Sequence, residues 1–180
     1  MSNSSIAAYP LAIGQKCVDF IRFSHPQWVV SFNADRFVAD VNAFVVEGQA
    51  STLLWVRFPQ DTDYDLYSGI AAMFNCPWLH LMFQEHVVWE YNFYDEQQAL
   101  VGRFEPLPQM WGHDQPRMGD AELLAKLWKI QPARIQNYFK PWSDRLRGRK
   151  AYLCRDQFRY GQFEQGYDFI EALTGLNLPE

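Results

Sequence analysis

Residues 78–104 constrain the fold more than any other part of the chain, because they hold two closely spaced runs of strand-forming residues. Residues 78–84 and 87–94 are rich in β-branched and aromatic side chains, which suit the pleated, half-buried surface of a β-strand. Glu85 and His86 lie between the two runs and predict a short turn. The stretch therefore predicts a hairpin in the middle of an antiparallel sheet.

A third strand is predicted directly after the hairpin. The polar run 95–98 predicts a loop into a strand at 99–104, so that the three strands form a β-meander. A two-residue turn sets the register of the first two strands. It places large side chains of one face opposite each other in three pairs: Trp78 with Phe93, His80 with Tyr91, and Met82 with Trp89. A register shifted by one residue would move every side chain to the opposite face.

A helix is predicted upstream of the meander, at 34–46. Asn33 is a favourable N-cap and Gly48 a favourable stop. The apolar residues between them recur at helical spacing along one stripe: Phe37, Val38, Val41, Phe44 and Val45. Strands are predicted on either side of this helix, at 28–32 and 52–58.

Other elements follow from local patterns. The apolar series within the first 25 residues is compatible with a helix or an edge segment. A strand is possible at 150–154 or at 157–162. Further helices are predicted at four places: from about residue 66 to Asn75, after Gly119-Asp120, after Pro132, and at 167–176.

The order of these elements favours an α+β fold over a doubly wound parallel sheet, because three consecutive strands are followed mostly by helices. We predict an antiparallel sheet with a central β-meander, helices packed on it and a mainly helical C-terminal part. A chain of 180 residues fits a single domain over 1–180, with a core that needs no disulfide or metal.

Cysteine usage and hydropathy predict a cytoplasmic location. The three cysteines are widely spaced and no CxxC occurs, which favours a reducing compartment over a disulfide framework or a zinc knuckle. No positive charge precedes the short apolar run at the N-terminus, as it would in a signal peptide. No apolar run approaches the ~18–20 residues that cross a bilayer, so we expect no membrane partner.

The familiar catalytic spacings do not occur in the sequence. GxxxxGK[ST], GxGxxG, GxSxG and HExxH are all missing, so nucleotide, serine-hydrolase and zinc-protease sites lack their usual support. We therefore expect a protein that is not an enzyme and that carries no cofactor and no metal.

Three aspartates form the first candidate binding group. Asp61, Asp63 and Asp65 alternate as in a calcium loop, but Leu66 and Ala72 stand where glycine and glutamate are required. Acidic residues at a helix N-terminus are also stabilised by the helix dipole. As a surface cluster, the three carboxylates would suit a basic partner.

A proline-rich loop at 105–119 holds the second candidate group. It contains Met110, Trp111 and His113. Connections longer than about 12–15 residues without structure of their own tend to be functional or disordered. The loop either covers the core or exposes aromatic and methionine anchors of a protein interface.

Two other functions remain open. Glu90 lies within an aromatic strand, where a raised carboxyl pKa would suit a general acid, and a site near Glu90 and His113 would indicate an enzyme. Residues 134–159 hold eight Lys/Arg and two Asp/Glu, interleaved with aromatic residues, a composition found in single-strand nucleic-acid binding. Because the whole chain is acidic, with a net charge of −5, we do not expect nucleic acid as the main partner.

Several short segments also carry a family resemblance. They are WEYNFY at 89–94, Arg103-Phe104, Pro106, Pro108 and Trp111, Gly119-Asp120 with Leu123-Leu124, and ALTGL at 172–176. Across residues 70–130 and the last ten residues, the chain resembles small bacterial α+β proteins, some of which are similar to immunity proteins encoded beside toxins. The resemblance implies binding to another protein and brings no catalytic residues.

These observations predict a protein-binding module, in its most concrete form an immunity-type inhibitor that occludes a toxin or enzyme through an acidic surface. The predicted contact residues are Asp61, Asp63, Asp65, Met110, Trp111 and His113. The partner would be a basic protein, because complementary charge accelerates association.

Overall fold

A computed structural model describes residues 4–34, 36, 38, 40–56, 63–84, 87–107 and 117–178. Its strands are β1 Ser4–Tyr9, β2 Val30–Phe32, β3 Ala43–Glu47, β4 Thr52–Val56, β5 Trp78–Gln84, β6 Val88–Tyr94 and β7 Leu100–Phe104. Its α-helices are α1 Gly14–Ser24, α2 Asp63–Phe74, α3 Ala121–Trp128 and α4 Gln165–Thr174, and short 3-10 helices span Pro132–Arg134 and Gln136–Phe139.

The strands form one seven-stranded sheet in the order β2-β3-β4-β1-β5-β6-β7. All neighbours are antiparallel except the pair β2 and β3, so the sheet is mixed. The predicted α+β class is confirmed. Within the described residues, none of the helices has the length and apolar character needed to cross a bilayer.

Strand β1 is the centre of the sheet, between β4 and β5. Its residues Ile6, Ala7 and Ala8 are completely buried, because helices or loops cover both faces. The helix expected within the first 25 residues is present as α1, whereas the strand before it, β1, lies at the centre of the sheet and was not predicted. Alanine is depleted in strands generally, so SSIAAY is a weak strand signal, and its pairing on both sides overrides that propensity.

The three strands β5, β6 and β7 pair antiparallel in chain order, but they lie at one end of the sheet rather than at its centre. The predicted register is wrong by one residue. Trp78 faces Tyr94, and Phe93 faces Leu79, because Val88 pairs with Gln84 and the connection is one residue longer than predicted.

The prediction of a helix at 34–46 is wrong, because residues 43–47 form β3, which runs parallel to β2. Ala43 and Val45 pack on one face of the sheet, while Phe44 stacks on Trp55 on the other. Asn33 is not a helix cap: it adopts a left-handed φ of 50°, and its Oδ1 accepts a hydrogen bond from Glu47 N (2.8 Å).

The sheet separates two hydrophobic clusters. On one side it packs against α1 and α2, and on the other against the C-terminal part of the chain, with α3, α4 and the 3-10 helices. The predicted helices at the C-terminus appear as α3 and α4, and Pro132 begins a 3-10 helix instead. Residues 140–164 form turns, and neither of the strands considered there is present.

Candidate functional site

A cavity of about 540 Å³ lies beside helix α4, within the size range of ligand pockets. Its walls come from α4, the turn at 157–158, the chain segment 176–178 and one residue of β4. The residues that line it are Trp55, Gln157, Phe158, Tyr167, Asp168, Ile170, Glu171, Leu176, Asn177 and Leu178.

Helix α4 approaches the sheet closely because of a glycine. A Cβ built at Gly166 would lie only 2.7 Å from Phe83 Cε1 and 3.1 Å from Trp89 Cβ. The helix buries Phe169 and Leu173 in the core, which leaves the face with Asp168 turned to the cavity. Local spacing and close packing thus place acidic side chains on the cavity wall.

Asp168 holds the turn that forms the neighbouring wall. Its Oδ1 accepts a hydrogen bond from Gln157 N (3.1 Å) and its Oδ2 one from Phe158 N (2.7 Å). The side chain is buried, and burial raises the pKa of this carboxyl, an effect that the charges of Asp156 and Glu171 reinforce. The two backbone N–H donors favour the charged carboxylate, so they oppose this rise in pKa. The same two hydrogen bonds hold the Asp168 side chain in place.

Glu171 is the second carboxylate of the cavity, and the end of the chain folds back onto it. Gly175 ends α4 in the left-handed region (φ 74°) and donates its N–H to Glu171 O (2.8 Å). The amide nitrogen of Asn177 faces the helix and donates to both carboxylate oxygens of Glu171, each at 3.2 Å. Leu176 packs on Gly48, where a Cβ would come within 2.6 Å of Leu176 Cδ2. The tail is therefore a fixed wall of the cavity.

Three aromatic rings, those of Trp55, Phe158 and Tyr167, also line the cavity. Trp55 is half-buried and stacks on Phe44, with ring centroids 5.4 Å apart. Tyr167 stacks on Phe83 at 4.6 Å and meets Phe158 edge to face at 6.5 Å. Each of these rings contacts another aromatic ring, which restricts its movement.

The cavity lining is acidic. Among the described residues that line it, two are carboxylates and none is a lysine or an arginine. Asp156, an acid outside the lining whose charge acts on Asp168, is paired with a cation: Arg155 Nε lies 3.5 Å from Asp156 Oδ1, and Lys150 donates to the Asp156 carbonyl. Arg155 also lies over the Tyr152 ring, at 4.1 Å from its centroid. Asp168 and Glu171 therefore supply the negative charge of the cavity lining.

A second set of polar groups, buried or half-buried, lies on the opposite face of β5, β6 and β7. His80 faces Asn92, which faces Arg103 on the next strand. Burial lowers the pKa of His80 to about 4, and its Nε2 has no hydrogen-bond partner among the described residues. On the same face, Glu90 is buried and its Oε1 accepts a hydrogen bond from Gln84 Nε2 (2.6 Å).

Glu105 is also buried at this end of the sheet, and two arginines neutralise it. Its Oε1 lies 3.4 Å from Arg103 Nε and 3.1 Å from Arg117 Nη1. Glu105 N also donates to Arg117 O (3.1 Å), which joins the two flanks of the proline-rich loop. The group stabilises this edge of the fold.

Most of the predicted contact residues lie outside the described residues. These are Asp61, Met110, Trp111 and His113, and the side chain of Asp63 is outside the description as well. Asp65 lies in the first turn of α2 and is exposed. The acidic cluster and the loop anchors therefore stay predictions, as does a site formed by Glu90 with His113.

The basic segment 134–159 exposes most of its charges, whereas its aromatic rings are buried or half-buried. Seven of its cations are exposed: Arg134, Lys140, Arg145, Arg147, Arg149, Arg155 and Arg159. In contrast, Tyr138 and Phe139 are buried in the core. Stacking on bases requires exposed rings, so this arrangement gives little support to single-strand binding.

The residues of the cavity were not among the sequence candidates. Asp168 and Glu171 have the i, i+3 spacing that places two acids on one helical face, which was a usable signal. Trp55 had no such signal, because only the folded sheet brings β4 next to the C-terminal tail. The described residues contain no group of three or more His, Cys, Asp or Glu arranged to hold a metal ion.

Comparisons of this chain with protein-family models, with curated proteins and with solved structures found no significant match.

Proposed function

We propose that this protein is a non-enzymatic protein-binding module that accepts a cationic side chain of a basic partner in the cavity beside α4. In its most concrete form it is an immunity-type inhibitor, which binds a toxin or enzyme and occludes it. The observation that carries the proposal is the lining itself: aromatic rings and two carboxylates, without a basic residue among the described lining residues.

The physical basis is charge complementarity on a preorganised surface. An apolar and aromatic wall removes water from the entering side chain, and the carboxylates of Asp168 and Glu171 provide the opposite charge. The net charge of −5 adds long-range attraction for a basic protein, which raises the association rate at low ionic strength.

A binding role fits the cavity better than catalysis does. Both carboxylate oxygens of Asp168 accept backbone hydrogen bonds, and Glu171 receives the Asn177 amide. These contacts fix the positions of both carboxylates, which suits recognition of a cation, and the sequence carries none of the common catalytic motifs.

The protein is proposed to act in the cytoplasm. Cys17, Cys76 and Cys154 are all free, and Cys154 is exposed. An exposed free thiol is typical of a reducing compartment. Fractionation of native cells tests this location, and recovery in an extracellular fraction would contradict it.

The test of function uses three forms of the full chain as bait in native cells: the natural sequence, Glu171→Lys and Asp19→Asn. Asp19 is exposed on α1, on the other side of the sheet. Its substitution by asparagine removes one surface negative charge away from the cavity and serves as the control. We expect a basic protein to co-purify with the natural sequence and with Asp19→Asn but not with Glu171→Lys.

The captured protein is then purified and assayed for toxicity or enzymatic activity. We expect the natural sequence to suppress that activity in a 1:1 complex, and Glu171→Lys to leave it intact. Equal capture by all three baits, or an acidic partner, would contradict the proposal.

A further inference from the structure

We infer that the side chain accepted by the cavity is an arginine, whose guanidinium lies between the aromatic rings and the carboxylates of Asp168 and Glu171. This inference rests on the proposed function and names the group that the partner must present. Two features of the cavity favour arginine over lysine, and a third favours a cation of either kind.

The first feature is the pair of carboxylates. Asp168 and Glu171 are three residues apart on α4, so they lie on the same helical face, and both line the cavity. A guanidinium carries five N–H donors in a planar fork and can donate to two carboxylates at once. An ammonium is a compact point charge and lacks this planar match.

The second feature is the aromatic lining. The rings of Trp55, Phe158 and Tyr167 surround the same space as the carboxylates. A planar guanidinium stacks on aromatic faces and interacts with them as a cation, and it is more weakly hydrated than an ammonium. Entry into a partly enclosed aromatic site therefore costs arginine less hydration free energy than it costs lysine.

The third feature is that the described structure supplies no basic side chain to this lining. The cations closest in sequence to the 157–158 turn are already engaged: Arg155 contacts Asp156 and Tyr152, and Arg159 Nη1 donates to Gly148 O (3.0 Å). The carboxylates of Asp168 and Glu171 lie close enough to each other for the charge of Glu171 to raise the pKa of Asp168. A bound cation would relieve this repulsion.

The test uses three short peptides that differ in one side chain: acetyl-Gly-Arg-Gly-amide, the lysine peptide and the citrulline peptide. Citrulline keeps the shape of arginine and removes its charge. Each is titrated into the isotopically labelled full chain, and the amide signals of α4 and the indole signal of Trp55 are followed. We expect saturable shifts at these positions with the arginine peptide, at least about tenfold weaker binding of lysine, and no saturable shift with citrulline.

Variants assign the effect to the cavity. Glu171→Gln keeps the size of the side chain and an acceptor for Asn177 but removes the charge, and we expect it to weaken the arginine peptide about tenfold. Asp19→Asn on the far side of the sheet should leave binding unchanged. Unchanged thermal unfolding of both variants shows that the loss of affinity does not come from a loss of fold.

The outcomes separate this inference from the proposed function. Equal affinity for the arginine and lysine peptides overturns the choice of arginine and leaves cation recognition intact. Shifts only outside the cavity, or none with any peptide, also overturn it, and the co-purification experiment then decides the function independently. Binding of free arginine as tightly as the peptide would indicate a small-molecule ligand and overturn the protein source.

Discussion

At residue 80 the chain buries a histidine among aromatic rings. Tyr67 and Trp78 lie at centroid distances of 5.4 and 5.8 Å, and only 9% of His80 is exposed. The neutral imidazole is tolerated there, while the charged form would lose its hydration without gaining a partner. A single buried side chain therefore links the stability of the fold to pH.

Stability should fall as the pH is lowered from about 6.5 to about 4. Burial lowers the pKa of His80 in the folded chain to about 4, from its ordinary value of about 6.5. In this window the unfolded chain binds a proton that the folded chain does not, so stability increases with pH. The difference corresponds to about 3 kcal/mol at most.

His80→Phe tests this contribution, because phenylalanine fits the aromatic surroundings and does not titrate. Chemical denaturation at several pH values should show a weaker dependence between pH 6.5 and 4 in the variant. An unchanged slope in that window would assign the dependence to other groups.

Gly166 should tolerate no side chain. Because its Cβ would overlap Phe83 and Trp89, we expect Gly166→Ala to lower the free energy of unfolding by about 1–3 kcal/mol. Gly69, in helix α2, is a matched control, since its nearest contact would be an ordinary 3.4 Å to Phe20 Cζ. Gly69→Ala should be neutral or stabilising by up to about 1 kcal/mol. Equal effects in thermal unfolding would contradict the close approach of α4.

At the scale of elements, the strand and helix boundaries show which local signals are reliable. Strong β-propensity and a clear cap placed β5, α3 and the end of α4 within a residue or two of prediction. In contrast, the apolar spacing at 34–46 predicted a helix, but residues 43–47 form β3, which pairs with β2 on one side and β4 on the other. Short apolar runs are ambiguous between the two periods, and pairing with neighbouring strands decides them.

The cap of α3 is testable. Asp120 accepts a hydrogen bond from Leu123 N (2.9 Å), and its N–H donates to Tyr91 Oη (3.2 Å). Asp120→Ala removes only the first bond and should lower the free energy of unfolding by about 1 kcal/mol. Glu122→Ala in the same first turn, measured by denaturant unfolding, should cost less. A larger loss for Glu122→Ala would contradict a capping role for Asp120.

At the scale of the whole molecule, charge and shape act together. The sheet carries α1 and α2 on one side and the C-terminal part on the other, and the tail returns to β4 to close the acidic cavity. The basic segment 134–159 contributes Gln157 and Phe158 to the cavity wall and exposes seven of its cations, so positive and negative charge lie in adjoining parts of the fold. Such a distribution orients a charged partner before contact.

Association with the captured partner should therefore depend on salt. We expect the association rate constant to fall steeply between low and high ionic strength, and the dissociation rate constant to change little. Stopped-flow measurements over a range of salt concentrations provide the check, with Glu171→Gln as the variant that shortens the lifetime of the complex. A salt-independent association rate would contradict electrostatic steering.

Local chemistry in the sequence determined the α+β composition, the strands β5 to β7, the glycine that ends the last helix and the acidic character of the protein. Those features depend on residues close together in the chain, so they can be predicted from the sequence alone. Only the tertiary structure decided the central position of β1, the one-residue register of the hairpin, and the cavity in which Trp55 meets Asp168 and Glu171. These depend on pairing and packing between distant segments, whose free energy no local pattern contains.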